Sequence, residues 1–137
     1  MTMTRFTEAT WPAGRWPHFS FSELACRETG ECLLDETLMD CLERVRGVVG
    51  PLTVTSGYRS PRHSVEAAKP RPGSHAMGKA VDIACAGRKA YEVLATAIEE
   101  GFTGFGVAQK GGQRFLHLDI ITDEDGFPAA RPTIWSY

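Results

Sequence analysis

The chain of 137 residues has room for one hydrophobic core and not for two. Apolar residues at 42% and charged residues at 23% suit a globular domain and exclude a disordered chain. Fifteen Lys and Arg against seventeen Asp and Glu leave a net charge of −2, which gives no electrostatic basis for binding nucleic acid or an anionic membrane. No apolar run approaches the roughly 18 residues a membrane span needs. The opening MTMTRFTEATWPAG carries no apolar h-region, so synthesis in the cytoplasm without a signal peptide is expected.

The first predicted element is a short helix after Ser20, where Ser20 and Glu23 have the spacing of a capping box. A longer helix follows over 36–49, with Asp35 as N-cap and Gly50-Pro51 as its stop. Leu38, Cys41, Leu42, Val45, Val48 and Val49 recur there at helical spacing and predict the buried face. The β-branched stretch Leu52 to Ser56, bounded by Gly57, reads as a strand. Residues 60–79 hold three prolines and two glycines and read as a long loop, a feature compact domains seldom keep without a function for it. Ala80 to Cys85 reads as a buried strand, and 88–100 as a second amphipathic helix with Ala90, Val93, Leu94, Ala97 and Ile98 inward and Gly101 at its end. Phe102 to Gln109 and Arg114 to Ile121 predict two strands joined by a turn at Lys110-Gly111-Gly112. The tail holds Pro128 and Pro132 and is expected to be anchored by Trp135. The order predicts a small α+β domain with a mostly antiparallel sheet and its helices packed on one side.

Cys26, Cys32, Cys41 and Cys85 form no C-x-x-C pair, so a zinc ribbon or thioredoxin-type motif is excluded. Cys26 and Cys32 flank RETGE and are close enough in sequence to approach each other under oxidising conditions. Without an export signal all four are expected to be structural and reduced.

Three anomalies carry the chemistry. Asp82 interrupts the apolar run AVDIA, where an unpartnered carboxylate would cost several kcal/mol. In FLHLDI strict alternation puts Leu116, Leu118 and Ile120 on one face and Phe115, His117 and Asp119 on the other. His75 stands at the end of the proline-rich loop, and a turn at Gly78 can fold it back over the Asp82 strand. Two imidazoles and one carboxylate make a zinc-binding set with a fourth position left open. Each residue alone also has an ordinary structural reading, as a hydrogen-bonded strand histidine or a turn-capping aspartate.

Taken together, SGYRSPRH (56–63), SHAMGKAVDI (74–83) and FLHLDI (115–120) resemble the motifs of zinc-dependent murein peptidases. These are D-alanyl-D-alanine carboxypeptidases and L-alanyl-D-glutamate endopeptidases, many of them phage lysins. HFSFSELAC and RPTIWSY look like the termini of the small single-domain branch, so the resemblance runs from His18 to Tyr137. It implies an N-terminal extension at 1–17, a single peptidase-like domain at 18–137, and a fold like that of Hedgehog and the D-Ala-D-Ala peptidases. Carried over by position, it makes His75, Asp82 and His117 the ligands of a Zn2+ ion. Arg59 becomes the residue that holds a substrate carbonyl or carboxylate, for which a planar guanidinium is suited. Ser56, Tyr58, His63 and Ser74 are implied to line the cleft or touch substrate.

One position departs from that pattern. The carboxypeptidase branch has an acid three residues before the last zinc histidine, and here Arg114 stands there and cannot accept a proton. Asp119 is the nearest substitute, either as the proton acceptor or as the group that fixes the His117 ring. The resemblance implies a zinc peptidase cutting peptidoglycan stem peptides, monomeric, with no nucleic-acid or membrane partner, acting at the cell wall or periplasm after phage-type release. A non-catalytic module that binds wall peptides or a phage protein is the alternative. A purely structural zinc domain would need a fourth ligand, for which Cys85 is the nearest thiol in sequence.

Overall fold

A computed structural model describes residues 3–137. The first strand, β1 (Met3–Arg5), pairs antiparallel with β2 (Leu33–Asp35). Between them lies a one-turn helix, α1 (Phe21–Leu24). Its capping box is complete: Ser20 Oγ accepts from the Glu23 N–H, and the Glu23 carboxylate accepts from the Ser20 N–H at 2.9 Å. The segment expected as an N-terminal extension packs on the body through Phe6, Trp11 and Trp16, whose ring centroids lie 5.3–5.5 Å apart. Met1 and Thr2 of that extension lie outside the described residues.

Helix α2 (Glu36–Val49) starts where Asp35 Oδ1 accepts from the Thr37 N–H and stops at Gly50, as its sequence predicts. Helix α4 (Gly87–Glu99) packs against it. Leu38, Cys41, Leu42 and Val45 of α2 and Ala90, Val93 and Ala97 of α4 are buried. Val48 and Ile98, expected in the core, are exposed. At about 100° per residue both fall on the rim of the apolar stripe rather than its centre.

The main sheet runs β3-β4-β6-β5-β7. It comprises β3 (Thr53–Ser56), β4 (Ala80–Ala84), β5 (Gly104–Ala108), β6 (Phe115–Asp119) and β7 (Thr133–Ser136). All pairings are antiparallel except β5 with β7. The tail, for which no strand was expected, supplies one, because Thr133-Ile134-Trp135 is β-prone once past Pro132. One face of the sheet presents Val81, Ile83, Phe105, Leu116 and Leu118 to the core shared with α2 and α4. The opposite face carries the polar residues, so helices and chemistry sit on opposite sides.

The 60–79 stretch, expected as a continuous loop, contains one helical turn, α3 (Ser64–Ala67), capped by His63 Nδ1 accepting from the Val65 N–H at 3.1 Å. Gly78 makes the turn back to β4 with φ 69°, and any Cβ there would meet the Leu33 carbonyl oxygen at 2.6 Å. All four cysteines are free. Among the described residues no helix is long and apolar enough to cross a membrane.

Candidate metal centre

The strand register builds a row across the polar face of the sheet. Ser56 lies opposite Asp82, Asp82 opposite His117, His117 opposite Gly106, and Gly106 opposite Trp135. Paired residues project to one face, so this row puts a carboxylate beside an imidazole. A register irregularity between Val54 and Ser56 turns Ser56 toward the row. His75 arrives from the loop before Gly78. One ligand atom from each of His75, Asp82 and His117 falls within 4.8 Å of the others, and all three residues are buried.

Both imidazoles converge on one oxygen: Asp82 Oδ1 is 3.3 Å from His75 Nε2 and 3.2 Å from His117 Nδ1. Their remaining nitrogens are tied back. His75 Nδ1 lies 2.8 Å from the Gly57 carbonyl, which can only accept, so Nδ1 donates and Nε2 is the nitrogen left to face Asp82 or a metal ion. His117 Nε2 likewise donates to Asp119 Oδ2 at 2.8 Å, leaving Nδ1 as its ligating nitrogen. Two neutral nitrogens and a carboxylate oxygen, each oriented by a second bond, fit a zinc ion as a three-ligand set. Burial alone would push the Asp82 carboxyl up, but hydrogen bonds from His117 and His75 outweigh it and hold it well below the usual carboxylate range. Burial alone would lower His117, but its hydrogen bonds to the Asp119 and Asp82 carboxylates raise it above its ordinary value.

Arg59 stands beside the cluster. Its Nη2 is 3.7 Å from Asp82 Oδ2, its Nη1 is 3.8 Å from Glu66 Oε2, and its Nε donates to Ser56 Oγ at 3.2 Å. A cleft of about 720 Å³ opens here, with Ser56, Arg59, Asp82, Arg114 and Phe115 on its walls. Ser56 and Arg59, expected at a cleft, both line this one. Ser74 is buried beside His75, its carbonyl accepting from the Lys79 N–H to close the turn. Tyr58, expected at the cleft, is a core side chain, 4% exposed, because its position next to Gly57 lets it pack with the α1 side of the domain. His63, expected to touch substrate, caps α3 and places Nε2 3.1 Å from Glu28. Cys85 packs against the core instead of joining the cluster.

Asp119 shares the face of His117, but it is 0% exposed. Its oxygens accept from His117, from the Ile121 N–H, and from two nitrogens of Arg131. Burial would raise its carboxyl, yet the His117 and Arg131 bonds win and lower it. A carboxylate sealed from the cleft with both oxygens already accepting is placed to orient His117 rather than to take a proton from water.

Sequence reading missed Glu66, Gly104 and Arg131. Glu66 is almost completely buried and binds Lys69 Nζ at 2.7 Å and the Gly73 N–H at 3.0 Å, bracing the loop behind Arg59. Gly104 sits opposite Asp119, where any Cβ would fall on the carboxylate; an isolated glycine inside a strand was the available signal. A family model described as peptidase M15 matches residues 17–119. No curated protein and no solved structure matches the chain.

Proposed function

The chain belongs to the peptidase M15 family, and on that premise we propose that it is a zinc metallopeptidase that hydrolyses a peptide bond in peptidoglycan stem peptides, in the manner of a phage-type lysin acting at the cell wall. The observation that carries this reading is the convergence of His75 Nε2, His117 Nδ1 and an Asp82 oxygen beside the Arg59 guanidinium at an open cleft. A zinc ion held by these three residues would polarise the scissile carbonyl and bring the pKa of water down to roughly 7. Arg59 donates hydrogen bonds to the substrate carbonyl or carboxylate and balances charge that develops on it. Glu66 and Ser56 hold that guanidinium at the cleft wall. Asp119 keeps the His117 ring and tautomer fixed. The Hedgehog and D-Ala-D-Ala peptidase-like fold is part of the same proposal.

A second reading, a module that binds wall peptides without cutting them, is favoured by the cationic Arg114 on the cleft wall and the sealed Asp119. Digestion of purified peptidoglycan with zinc-loaded protein, followed by mass spectrometry of the released peptides, separates the two. The peptidase reading predicts new fragments: loss of one terminal alanine for a carboxypeptidase, a split stem peptide for an endopeptidase. Retention of the protein on intact peptidoglycan with no new fragment at any zinc concentration or pH would establish the binding module instead.

A further inference from the structure

Arg131 lies 12 residues beyond Asp119 and outside the 17–119 segment that matches the family. Its side chain is 3% exposed and every guanidinium nitrogen is engaged. Nε donates to Asp119 Oδ1 at 3.0 Å and Nη2 to Asp119 Oδ2 at 2.9 Å, a two-point fork. Nη1 donates to the carbonyls of Ala129 and Ala130 at 3.2 and 3.3 Å. The Phe127 and Trp135 rings flank the guanidinium carbon at 5.2 and 5.4 Å. We propose that Arg131 is a positioning residue of the metal centre: by clamping the Asp119 carboxylate it fixes the His117 imidazole with Nδ1 aimed at the metal. This inference rests on the zinc-centre reading above.

The physical case is one of constraint. Without Arg131 the Asp119 carboxylate would be held by the His117 bond and one 3.2 Å bond from the Ile121 N–H, so its plane, and with it the direction in which the imidazole is held, would be less firmly fixed. Two parallel bonds from a rigid guanidinium fix the plane of the carboxylate. Lysine has charge but no fork, and so cannot reproduce the geometry. Gly104 leaves the space that the clamped carboxylate fills. The alternative is that Arg131 merely staples the tail to the sheet, in which case metal binding is indifferent to it.

Zinc affinity of the full chain, measured by competition with a chromophoric chelator, distinguishes these roles without using activity. Arg131→Met is expected to weaken zinc by about ten- to a hundredfold, as loss of a group that orients a ligand does. It should also alter the visible spectrum of the cobalt-loaded protein, while Arg131→Lys loses several-fold. In an Asp119→Asn background the Arg131→Met change should cost less than about twofold, because both act through one path. Wild-type affinity in Arg131→Met, or the same fold-loss with and without Asp119→Asn, would overturn the inference. Should Arg131→Met fail to fold, Arg131→Lys carries the test, and wild-type zinc affinity in that variant overturns it. Failure of the wild type to bind either zinc or cobalt would overturn the metal centre itself.

Discussion

Four consecutive residues, Ser56 to Arg59, show how little of a motif is chemistry and how much is support. Ser56 Oγ accepts from Arg59, the Gly57 carbonyl accepts from His75, Tyr58 fills the core, and Arg59 presents its guanidinium to the cleft that Ser56 also lines. Gly57 is glycine because a Cβ would meet the Leu24 carbonyl oxygen at 2.5 Å. Arg59→Ala should therefore slow hydrolysis about a hundredfold, the usual loss for one transition-state donor. Zinc content and melting temperature should stay near wild type; equal losses of stability and activity would make Arg59 a structural residue. The candidate metal ligands stand out in the sequence where they break a pattern, Asp82 inside an apolar run and His117 on a strand's polar face. Arg131 breaks none, since an arginine in a proline-rich tail is unremarkable until the tail folds back. Tyr58 was misplaced because a tyrosine beside a cleft motif and a tyrosine in a core look alike in sequence.

Among elements, α2 and α4 were legible from apolar period and end signals, β4 from its short apolar run and β6 from strict alternation. The one-turn α3 was hidden, as four residues carry too little periodicity to register. β7 was hidden for a different reason: it pairs in parallel with β5, a partner far away in the chain. Their contributions to the site, the Glu66 brace and the Trp135 indole, were hidden with them. His117 and Trp135 rings lie 5.2 Å apart, so β7 packs an indole beside one of the candidate ligands. The register of β5 against β6 is tested by Gly104→Ala, whose methyl would fall on Asp119. Overpacking there should cost about 1–3 kcal/mol and weaken zinc as the carboxylate is displaced. Gly47→Ala, on an exposed turn of α2 with open space around it, should instead stabilise by about 0.5–1 kcal/mol. Calorimetric melting of both variants checks the pair, and wild-type stability in Gly104→Ala would contradict the register.

On the scale of the whole molecule, the sheet separates a helix-covered core from a face of buried charge, and that face should govern stability against pH. Asp82, Asp119 and Glu66 are held below their ordinary values, in each case because hydrogen bonds outweigh burial. Their contribution is present above about pH 4 and is lost as pH falls through the depressed folded values. His117 is raised above 6.5, so its contribution is complete below that pH and is lost as pH rises through the folded value. The metal-free protein should thus melt lower on both sides of a maximum near pH 5–6. Zinc should abolish the alkaline decline, because the metal replaces the proton on Nδ1 between Asp82 and His117. A melting temperature of the metal-free protein that is flat from pH 3 to 9 would contradict the charge assignment.

The central claim is that His75, Asp82 and His117 hold one zinc ion, and native mass spectrometry of the full chain tests it directly. Protein purified without chelator and supplied with zinc should carry one zinc per chain. His75→Ala and His117→Ala, folded by circular dichroism, should carry none at the same concentration. Full zinc occupancy in either variant would contradict the account.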